Sequence, residues 1–339
     1  MRAGAAVIGL GVIAVAAGPV DADEAICTDP AVIYCNDFSI GWDGIEHEAD
    51  ATIVGGQVQA DFDTDGDGAS FDYRFAGVEQ AYARFYVRFD ATWTEPMHHF
   101  YALHGDATDN DWSCHGDAGC RPNGVICLSG TTVDSRAGGG GEIPGEPWFY
   151  TYFPGMTCDS GAHCDTYNDS AAVCAGCADR GLPCVNGPEC CWGNAFDQNQ
   201  GPTVTMRQEQ WYAMETMVRA NTPGTAVGEM ALWIDDVLVA HHTGILWRET
   251  PDLLLIHVVV WNYYPEATVA HQVLFDNLVV STARIGLVDM PPVTPDAGPG
   301  GPGPGGEDPG GCCQTGGERA PGAALAAIVV VLGLRRRRR

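Results

Sequence analysis

Alternation of apolar and polar side chains is the feature of this chain that most constrains its fold. Between residues 81 and 89 every odd-numbered position is apolar, and the even-numbered positions are Tyr82, Arg84, Tyr86 and Arg88. A period of two predicts a half-buried β-strand. Further strand patterns occur at 211–220, 229–234, 237–240 and 273–282, and residues 253–261 form a continuous apolar run typical of a strand buried on both faces. The sequence therefore predicts an all-β fold, an antiparallel β-sandwich of the jelly-roll type.

The charge of the chain limits its partners and its chemistry. All 17 basic residues are arginine, and the net charge is −27 in 339 residues. The absence of lysine excludes Schiff-base chemistry and any lysine acid or base. Nucleic acid is also excluded as a partner, because binding its backbone requires a basic surface.

Both ends of the chain are typical of export and sorting signals. Residues 1–25 combine Arg2 with an apolar run and small residues around Ala22, which predicts a signal peptide and an exported protein. A buried N-terminal helix is the alternative. The body spans residues 26–289, and a Pro/Gly-rich spacer, predicted to be extended, spans residues 290–311.

The final segment, residues 312–339, holds a cysteine pair, a short apolar run and five terminal arginines. The run of about 15 residues spans only ~22 Å as a helix. In this order, the spacer, the cysteines, the run and the arginine cluster resemble the MYXO-CTERM sorting tail of myxobacterial surface proteins. The resemblance implies processing near Cys312 or Cys313 and display at the cell surface or release outside the cell. A plain tail anchor is the alternative, and either way only this segment would meet a membrane.

Twelve cysteines lie in the body, and seven of them fall within residues 157–193. In an exported chain they predict disulfides, so this stretch is predicted to be a disulfide-rich insertion without a core of its own. Cys27 and Cys35 can close the N-terminal segment. A zinc site built from Cys174, Cys177 and the 190–191 pair is the alternative for the insertion.

Motifs in the second half of the body carry a family resemblance. Trp211, the turn at 221–224, the strand and turn at 228–236 and the final strand at 275–281 follow one another in a characteristic order. This order resembles concanavalin A-like jelly-roll proteins, specifically the family 14 and family 20 polysaccharide lyases and their non-catalytic relatives. The match extends over roughly residues 36–286 without the insertion.

The resemblance implies β-elimination at a uronic acid and points to candidate catalytic residues. The family pattern is Ser-x-Arg on one strand and Tyr-x-Tyr on the next, where this chain has Ser135-Arg136 and Tyr150-Thr151-Tyr152. Near the place of the family's lysine stands His98-His99, and a histidine can act as base or as a neutralising cation. The candidate catalytic residues are Arg136, Tyr150, Tyr152, His98 and His99. The candidate substrate-binding residues are Trp148, Arg84 and Tyr86.

Two groups of carboxylates predict structural calcium. Asp61, Asp63, Asp65, Asp67 and Asp72 have the ligand spacing of an EF-type loop, but their flanks have strand patterns, so we expect a β-hairpin loop. A solvated acidic turn is the alternative. A second site, between Asp37 and Asp276, is implied by the family resemblance alone.

The sequence leaves two functions open. The first is binding of a polysaccharide or cell-surface glycan by an exported monomer, with or without cleavage of uronate by β-elimination. The second is a non-catalytic structural or adhesive surface protein. The strong negative charge disfavours polyuronates at long range and makes neutral glycans plausible ligands. A glycoside hydrolase is disfavoured, because the chain lacks the closely spaced carboxylates Glu-x-Asp-x-x-Glu.

Overall fold

Two antiparallel β-sheets of eight strands each make up most of the part of the chain that the structure describes. The computed structural model describes residues 24–62, 69–107, 121–157, 159–160, 189–190, 193–261 and 270–287. One short helix, α1, spans Glu24–Cys27. The strands are β1 Val32–Asn36, β2 Glu46–His47, β3 Ala51–Val54, β4 Gln57–Phe62, β5 Ser70–Val78, β6 Gln80–Phe89, β7 Tyr101–Asp106, β8 Cys127–Arg136, β9 Pro144–Thr151, β10 Asp159–Ser160, β11 Glu189–Cys190, β12 Asn194–Phe196, β13 Met206–Arg207, β14 Trp211–Arg219, β15 Gly228–Ile234, β16 Val237–Ile245, β17 Leu255–Trp261 and β18 His271–Ser281.

Each sheet draws its strands from distant parts of the chain. Sheet I has the spatial order β16-β15-β14-β6-β18-β4-β3, and β1 also pairs with β18. Sheet II has the order β12-β9-β8-β7-β17-β5-β2, and β13 also pairs with β9. The two-residue strands β10 and β11 pair only with each other within the described residues. All of these pairings are antiparallel, so the predicted all-β sandwich is confirmed.

Aromatic side chains fill the space between the sheets. Phe85 of sheet I packs edge-to-face on Tyr101 of sheet II, with ring centroids 4.8 Å apart. Phe275 of the central strand β18 contacts both Phe85 and Phe100, each at 5.6 Å. These rings are at most 1% exposed, and such pairs stabilise a core beyond the area that they bury. The strand pattern at 81–89 is thereby explained, since its odd-numbered residues face this core.

The strand patterns at 229–234 and 237–240 belong to one hairpin. Strands β15 and β16 pair through Ile234 and Val237, and the two intervening residues, Asp235 and Asp236, have φ values of 50° and 66°. Two positive φ values are what a tight hairpin turn with the twist of a β-sheet requires, and aspartate tolerates them better than most residues.

The hairpin predicted around the acidic loop at 61–72 is wrong. Strand β4, which ends at Phe62, belongs to sheet I, whereas β5, which begins at Ser70, belongs to sheet II. The chain therefore crosses from one sheet to the other at this point. Alternation of residue types marks both strands correctly but does not reveal which sheet each one joins.

Several sequence predictions lie outside the described residues. They concern the signal peptide at 1–25, most of the insertion at 157–193, the spacer, and the sorting segment with Cys312 and Cys313. Within the described ranges, Cys27 and Cys35 form a disulfide as anticipated, and Cys127 is also disulfide-bonded. No helix in these ranges has the length and apolar character needed to cross a membrane.

Candidate functional site

The outer face of sheet II carries most of the candidate catalytic residues. On β9, Phe149 and Thr151 are fully buried and face the core, so Trp148 and Tyr150 face outward. Tyr152 follows the last residue of the strand and its ring lies 5.5 Å from that of Tyr150. The period of two in β9 therefore places Trp148 and Tyr150 on one surface, and the Tyr152 ring lies beside them.

The neighbouring strand β8 adds a residue that the sequence motif did not identify. Val133 faces the core, so Asp134 faces outward, opposite Trp148 of β9. Ser135 faces inward, where its hydroxyl accepts a hydrogen bond from the Met97 N–H and donates one to the Pro144 carbonyl. The motif match rested on Ser135-Arg136, but two consecutive strand residues point to opposite faces. Alternation from Val133 would have identified Asp134.

The two tyrosine hydroxyls are in contact, 3.3 Å apart. Tyr152 is only 3% exposed. Burial, followed by the neighbouring Tyr150, raises the pKa of Tyr152 well above its ordinary value, although a backbone hydrogen bond from Gly193 acts in the opposite direction. Tyr152 therefore stays protonated at neutral pH and can donate a hydrogen bond to Tyr150.

Two histidines approach the tyrosines from the segment before β7. The His99 ring lies 5.1 Å from the Tyr150 ring, and the His98 ring lies 4.1 Å from that of His99. Asp134 ties both to the sheet: one carboxylate oxygen lies 3.0 Å from His98 Nδ1, and the other accepts the His99 backbone N–H at 2.7 Å. We call these five residues, His98, His99, Asp134, Tyr150 and Tyr152, the His–Tyr cluster.

The protonation of His99 follows from its surroundings. Burial lowers the pKa of His99 to about 4, and the His98 ring acts in the same direction, while the Asp134 carboxylate partly opposes both. The imidazole is therefore neutral at pH 7 and can accept a proton. A neutral base beside a protonated phenol is an arrangement suited to acid–base chemistry.

Arg136 lies apart from the His–Tyr cluster. It is the last residue of β8 and pairs in register with Glu146, whereas Tyr150 pairs with Thr132. Four residues of strand separate the two positions, about 13 Å. The Arg136 guanidinium forms ion pairs with Glu146, at 3.7 Å, and with Asp197. The structure therefore does not bring the predicted arginine to the predicted tyrosines.

Trp148 lies next to the cluster, and its ring is perpendicular to that of Tyr150 at 5.9 Å. Its Nε1 atom is buried and has no hydrogen-bond partner in the described part of the chain. This N–H is therefore out of reach of a ligand, whereas the partly exposed ring is suited to stacking on a sugar. The structure thus places this predicted substrate-binding residue at the site.

The other two predicted substrate-binding residues lie on the opposite side of the sandwich. Arg84 and Tyr86 are outward-facing residues of β6 in sheet I, and they are 2% and 6% exposed. The Arg84 guanidinium donates to the Gly286 carbonyl at 2.9 Å and lies 5.1 Å from the Tyr86 ring centre. The alternation of β6 is real, but it cannot indicate on which side of the molecule its outer face lies.

A second polar group occupies the outer face of sheet II, on its central strands. His257 Nε2 lies 2.7 Å from a carboxylate oxygen of Asp72, and both His257 and His104 are 1% exposed. Arg74 pairs in register with His257 on the neighbouring strand. Burial, with further contributions from His257 and Arg74, lowers the pKa of His104 to about 3. The sequence analysis did not identify this group, although each member is an outward position of its strand.

The predicted calcium ligands fall into separate places. Asp61 is an exposed residue of sheet I and accepts hydrogen bonds from Gln59 and Gln272, whereas Asp72 belongs to sheet II and contacts His257. The two ends of the EF-like group therefore belong to different sheets and have other partners, and Asp63, Asp65 and Asp67 lie outside the described residues. Within those residues, no three His, Cys, Asp or Glu side chains are grouped so as to hold a metal ion.

Asp37 and Asp276 are close enough to interact. Burial raises the pKa of Asp276 to about 7, and the charge of Asp37 acts in the same direction against hydrogen bonds from Asn277 and Gln57. Two carboxylates that repel one another in a partly buried position fit the donor set of a hard cation such as Ca²⁺. Both residues could serve as its ligands, together with backbone or solvent oxygens.

Comparison with known proteins supports the fold. No family model and no curated protein matches the chain. Among solved structures, alginate lyase Aly36B is similar, with a TM-score of 0.51, 12% identity, and coverage of 76% of this chain and 99% of that one. A mutant of Aly36B in complex with an alginate trisaccharide has a TM-score of 0.49 and 13% identity, with coverage of 72% of this chain and 89% of that one. The marine PL-14 alginate lyase from Aplysia kurodai has a TM-score of 0.47 and 13% identity, with coverage of 74% of this chain and 99% of that one. The fold of this chain thus resembles that of polysaccharide lyases that act on uronate polymers.

Proposed function

We propose that this protein binds a uronate-containing polysaccharide across the outer face of sheet II and cleaves it by β-elimination at the His–Tyr cluster. The observation that carries the proposal is the convergence of His99, Tyr150 and Tyr152 around Asp134 on one face. These residues come from β8, β9 and the segment before β7, so the fold itself brings them together. Further support comes from the fold, which is similar to that of alginate lyase Aly36B, a protein that acts on a polysaccharide.

The chemistry assigns one step to each of two side chains. His99, which is neutral at pH 7, removes the proton from the carbon next to the uronate carboxylate. The electron pair of that C–H bond forms a carbon–carbon double bond, and the bond to the leaving glycosidic oxygen breaks. The Tyr150 hydroxyl donates its proton to that oxygen, and proton transfer from His99 through solvent restores the phenol.

Tyr152 is a positioning residue in this scheme. Its hydroxyl is buried, accepts a hydrogen bond from the Gly193 backbone and lies 3.3 Å from the Tyr150 hydroxyl. Because Tyr152 stays protonated, it donates toward Tyr150 oxygen, which steadies that oxygen and makes Tyr150 a better proton donor.

Glycan binding without cleavage is the second candidate function. The observation that favours it is the state of Arg136, whose guanidinium is held by Glu146 and Asp197. With no lysine in the chain, the two cations used in the resembling lyases are missing or engaged. Trp148 and Tyr150 would then bind sugar rings, and the protein would act as a surface lectin or adhesin.

Ultraviolet absorbance of the unsaturated product separates these functions. Alginate and glucuronan are incubated with wild type, Tyr150→Phe and His99→Gln. The proposal predicts product with the wild type and a loss of about 10² to 10⁴-fold in either variant. Tyr82→Phe, on the outer face of sheet I, is the matched control and should be unchanged. Glycan binding without product from any uronate would replace cleavage by the second function.

We also propose that the protein is exported and displayed at the cell surface or released outside the cell. Support comes from the signal-like residues 1–25 and the sorting-like residues 312–339, and from the Cys27–Cys35 disulfide, which suits an oxidising compartment. Mass spectrometry of the mature protein tests this proposal: retention of residues 1–25 in material from the native host would contradict it.

A further inference from the structure

A single buried carboxylate organises both histidines of the His–Tyr cluster. The Asp134 side chain is 3% exposed, and its two oxygens engage different groups, His98 Nδ1 and the His99 backbone N–H. His99 has a φ of 48°, a left-handed conformation that is unfavourable for most residues and persists only where the surroundings hold it. Asp134 provides such a contact, so it fixes the turn that presents both imidazoles.

The proposed elimination needs a positive group next to the carboxylate of the uronate. Removing the proton next to a carboxylate builds up negative charge, and a cation at that carboxylate stabilises it. The chain has no lysine, and Arg136 is bound by Glu146 and Asp197 about 13 Å away along the sheet. Within the cluster, the groups able to carry positive charge are the two histidines.

The two histidines differ in exposure and in partners. The His98 side chain is 40% exposed and its Nδ1 faces the carboxylate of Asp134, so a protonated His98 would have a counter-ion already in place. His99 donates its backbone N–H to the same aspartate. The two imidazoles therefore have different surroundings, with a carboxylate at Nδ1 of His98 and burial around the ring of His99.

We propose that His98 is the residue that binds the uronate carboxylate, and that Asp134 is a positioning residue that orients and charge-balances it. The inference rests on the proposed function, because it names the group that recognises the acidic substrate at the same site. It makes specificity for acidic over neutral sugars depend on an Asp–His pair where the resembling lyases use lysine or arginine.

The charged and titratable groups around His98 determine how binding depends on pH. Asp134 faces it from β8, His99 adjoins it in the chain, and Tyr150 faces it from β9 with ring centroids 6.3 Å apart. A carboxylate-binding imidazolium loses its charge as the pH rises. Affinity for a uronate should therefore be lower at alkaline than at acidic pH, because imidazoles in general are neutral there.

Binding of an alginate tetrasaccharide and of its methyl ester by calorimetry tests this inference without requiring turnover. The methyl ester presents the same sugars with no carboxylate charge. His98→Gln should weaken binding of the free acid at least tenfold at acidic pH and leave the ester within about twofold. His98→Lys should retain the affinity for the free acid and extend tight binding to higher pH, since lysine keeps its charge there. Asp134→Asn should weaken binding of the free acid, because it alters the contact that orients His98.

The outcomes distinguish this inference from the proposed function. Suppose that the wild type binds the acid and that His98→Gln binds both the acid and the ester as tightly as the wild type. The carboxylate role of His98 is then overturned, while the proposed site stands. Equal losses for acid and ester would show a structural role and would also overturn it. If the wild type binds neither ligand, both proposals fall. His241→Gln, an exposed histidine of sheet I, is the matched control and should match the wild type.

Discussion

The backbone of Gly193 lies directly against the ring of Tyr150. A Cβ atom placed on Gly193 would meet Tyr150 Cε1 at 2.6 Å and Cζ at 2.7 Å. The same residue hydrogen-bonds Tyr152 through its backbone. Gly193 therefore sets the position of both phenols, and only a residue without a side chain allows the strand β12, which begins at the next residue, to pair this closely with β9.

Gly193→Ala should displace Tyr150 and disrupt the acid of the proposed reaction. A ring pushed by about 1 Å can cost about 10²-fold in kcat/KM, and the fold should persist because the site lies on the surface of sheet II. The measurement is the rate of unsaturated product formation, with circular dichroism to verify folding. Gly155→Ala is the control, since its Cβ would meet Phe153 at an ordinary 3.5 Å. Equal rates for both variants would contradict this account of Gly193.

The loss of activity at acidic pH should reflect protonation of His99. Because the pKa of His99 is lowered to about 4, the base is neutral above this pH and becomes protonated below it. The proposal therefore predicts that kcat with a uronate substrate is sustained down to about pH 5 and falls as the pH drops through about 4. A fall already complete at pH 6 would be incompatible with His99 as the base.

Stability should respond to the same residue with a defined sign. His99 titrates near 4 when folded and near its ordinary value of 6.5 when unfolded, so between these values the unfolded state binds more protons. The free energy of unfolding therefore decreases as the pH falls from about 6.5 to about 4. The buried His104 contributes in the same direction. Denaturant melts of wild type and His99→Gln should show a smaller pH dependence in the variant, and identical slopes would rule out a buried neutral His99.

The sequence predicts the strands of this protein well because each strand carries its own local signal. The alternation in β6 and β9 follows from one buried and one outward face, and it correctly places Trp148, Tyr150 and Tyr152 together. The same rule, applied to β8 from the buried Val133, leads to Asp134. A motif matched by residue type led instead to Ser135, whose side chain points into the core.

What the sequence could not provide is the assignment of strands to sheets. Arg84 and Tyr86 have the alternating pattern expected of residues that line a substrate groove. However, their strand β6 belongs to sheet I, whereas β9, which carries Tyr150, belongs to sheet II. The same limit explains the incorrect hairpin at 61–72. Sheet membership depends on pairings between strands far apart in the chain, such as β6 with β14 and β18, and a single alternating segment contains no information about its distant partners.

Calcium remains a prediction, and the pair of Asp37 and Asp276 makes it testable. A cation between the two carboxylates would relieve the repulsion that helps to raise the pKa of Asp276 to about 7. Millimolar Ca²⁺ should raise the midpoint of thermal unfolding at pH 7, and EDTA should lower it. Asp276→Asn should weaken this response strongly. An unmoved midpoint in EDTA and in Ca²⁺ would argue against a structural ion at this position.

Glu215 should be the main attachment of residues 282–287, the segment that follows the last strand, β18. This carboxylate is 3% exposed and accepts three hydrogen bonds, from the Ile285 N–H at 2.8 Å, the Gly286 N–H at 2.9 Å and Arg284 Nε at 2.9 Å. Arg284 also lies over the ring of Trp233, 4.1 Å from its centre, a cation–π contact that holds the segment against sheet I.

Glu215→Gln should therefore destabilise the domain by about 2 kcal/mol, because its amide N–H₂ would be set against the N–H donors of Ile285 and Gly286 at a side chain that is 3% exposed. The measurement is the denaturant midpoint, with limited proteolysis after residue 282 as a local readout that should accelerate. Glu209→Gln is the control: its partner is Arg88 at 2.9 Å and its side chain is 51% exposed, so the cost should stay under about 1 kcal/mol. If both variants unfold at the same midpoint and the proteolysis rate is unchanged, Glu215 does not anchor this segment.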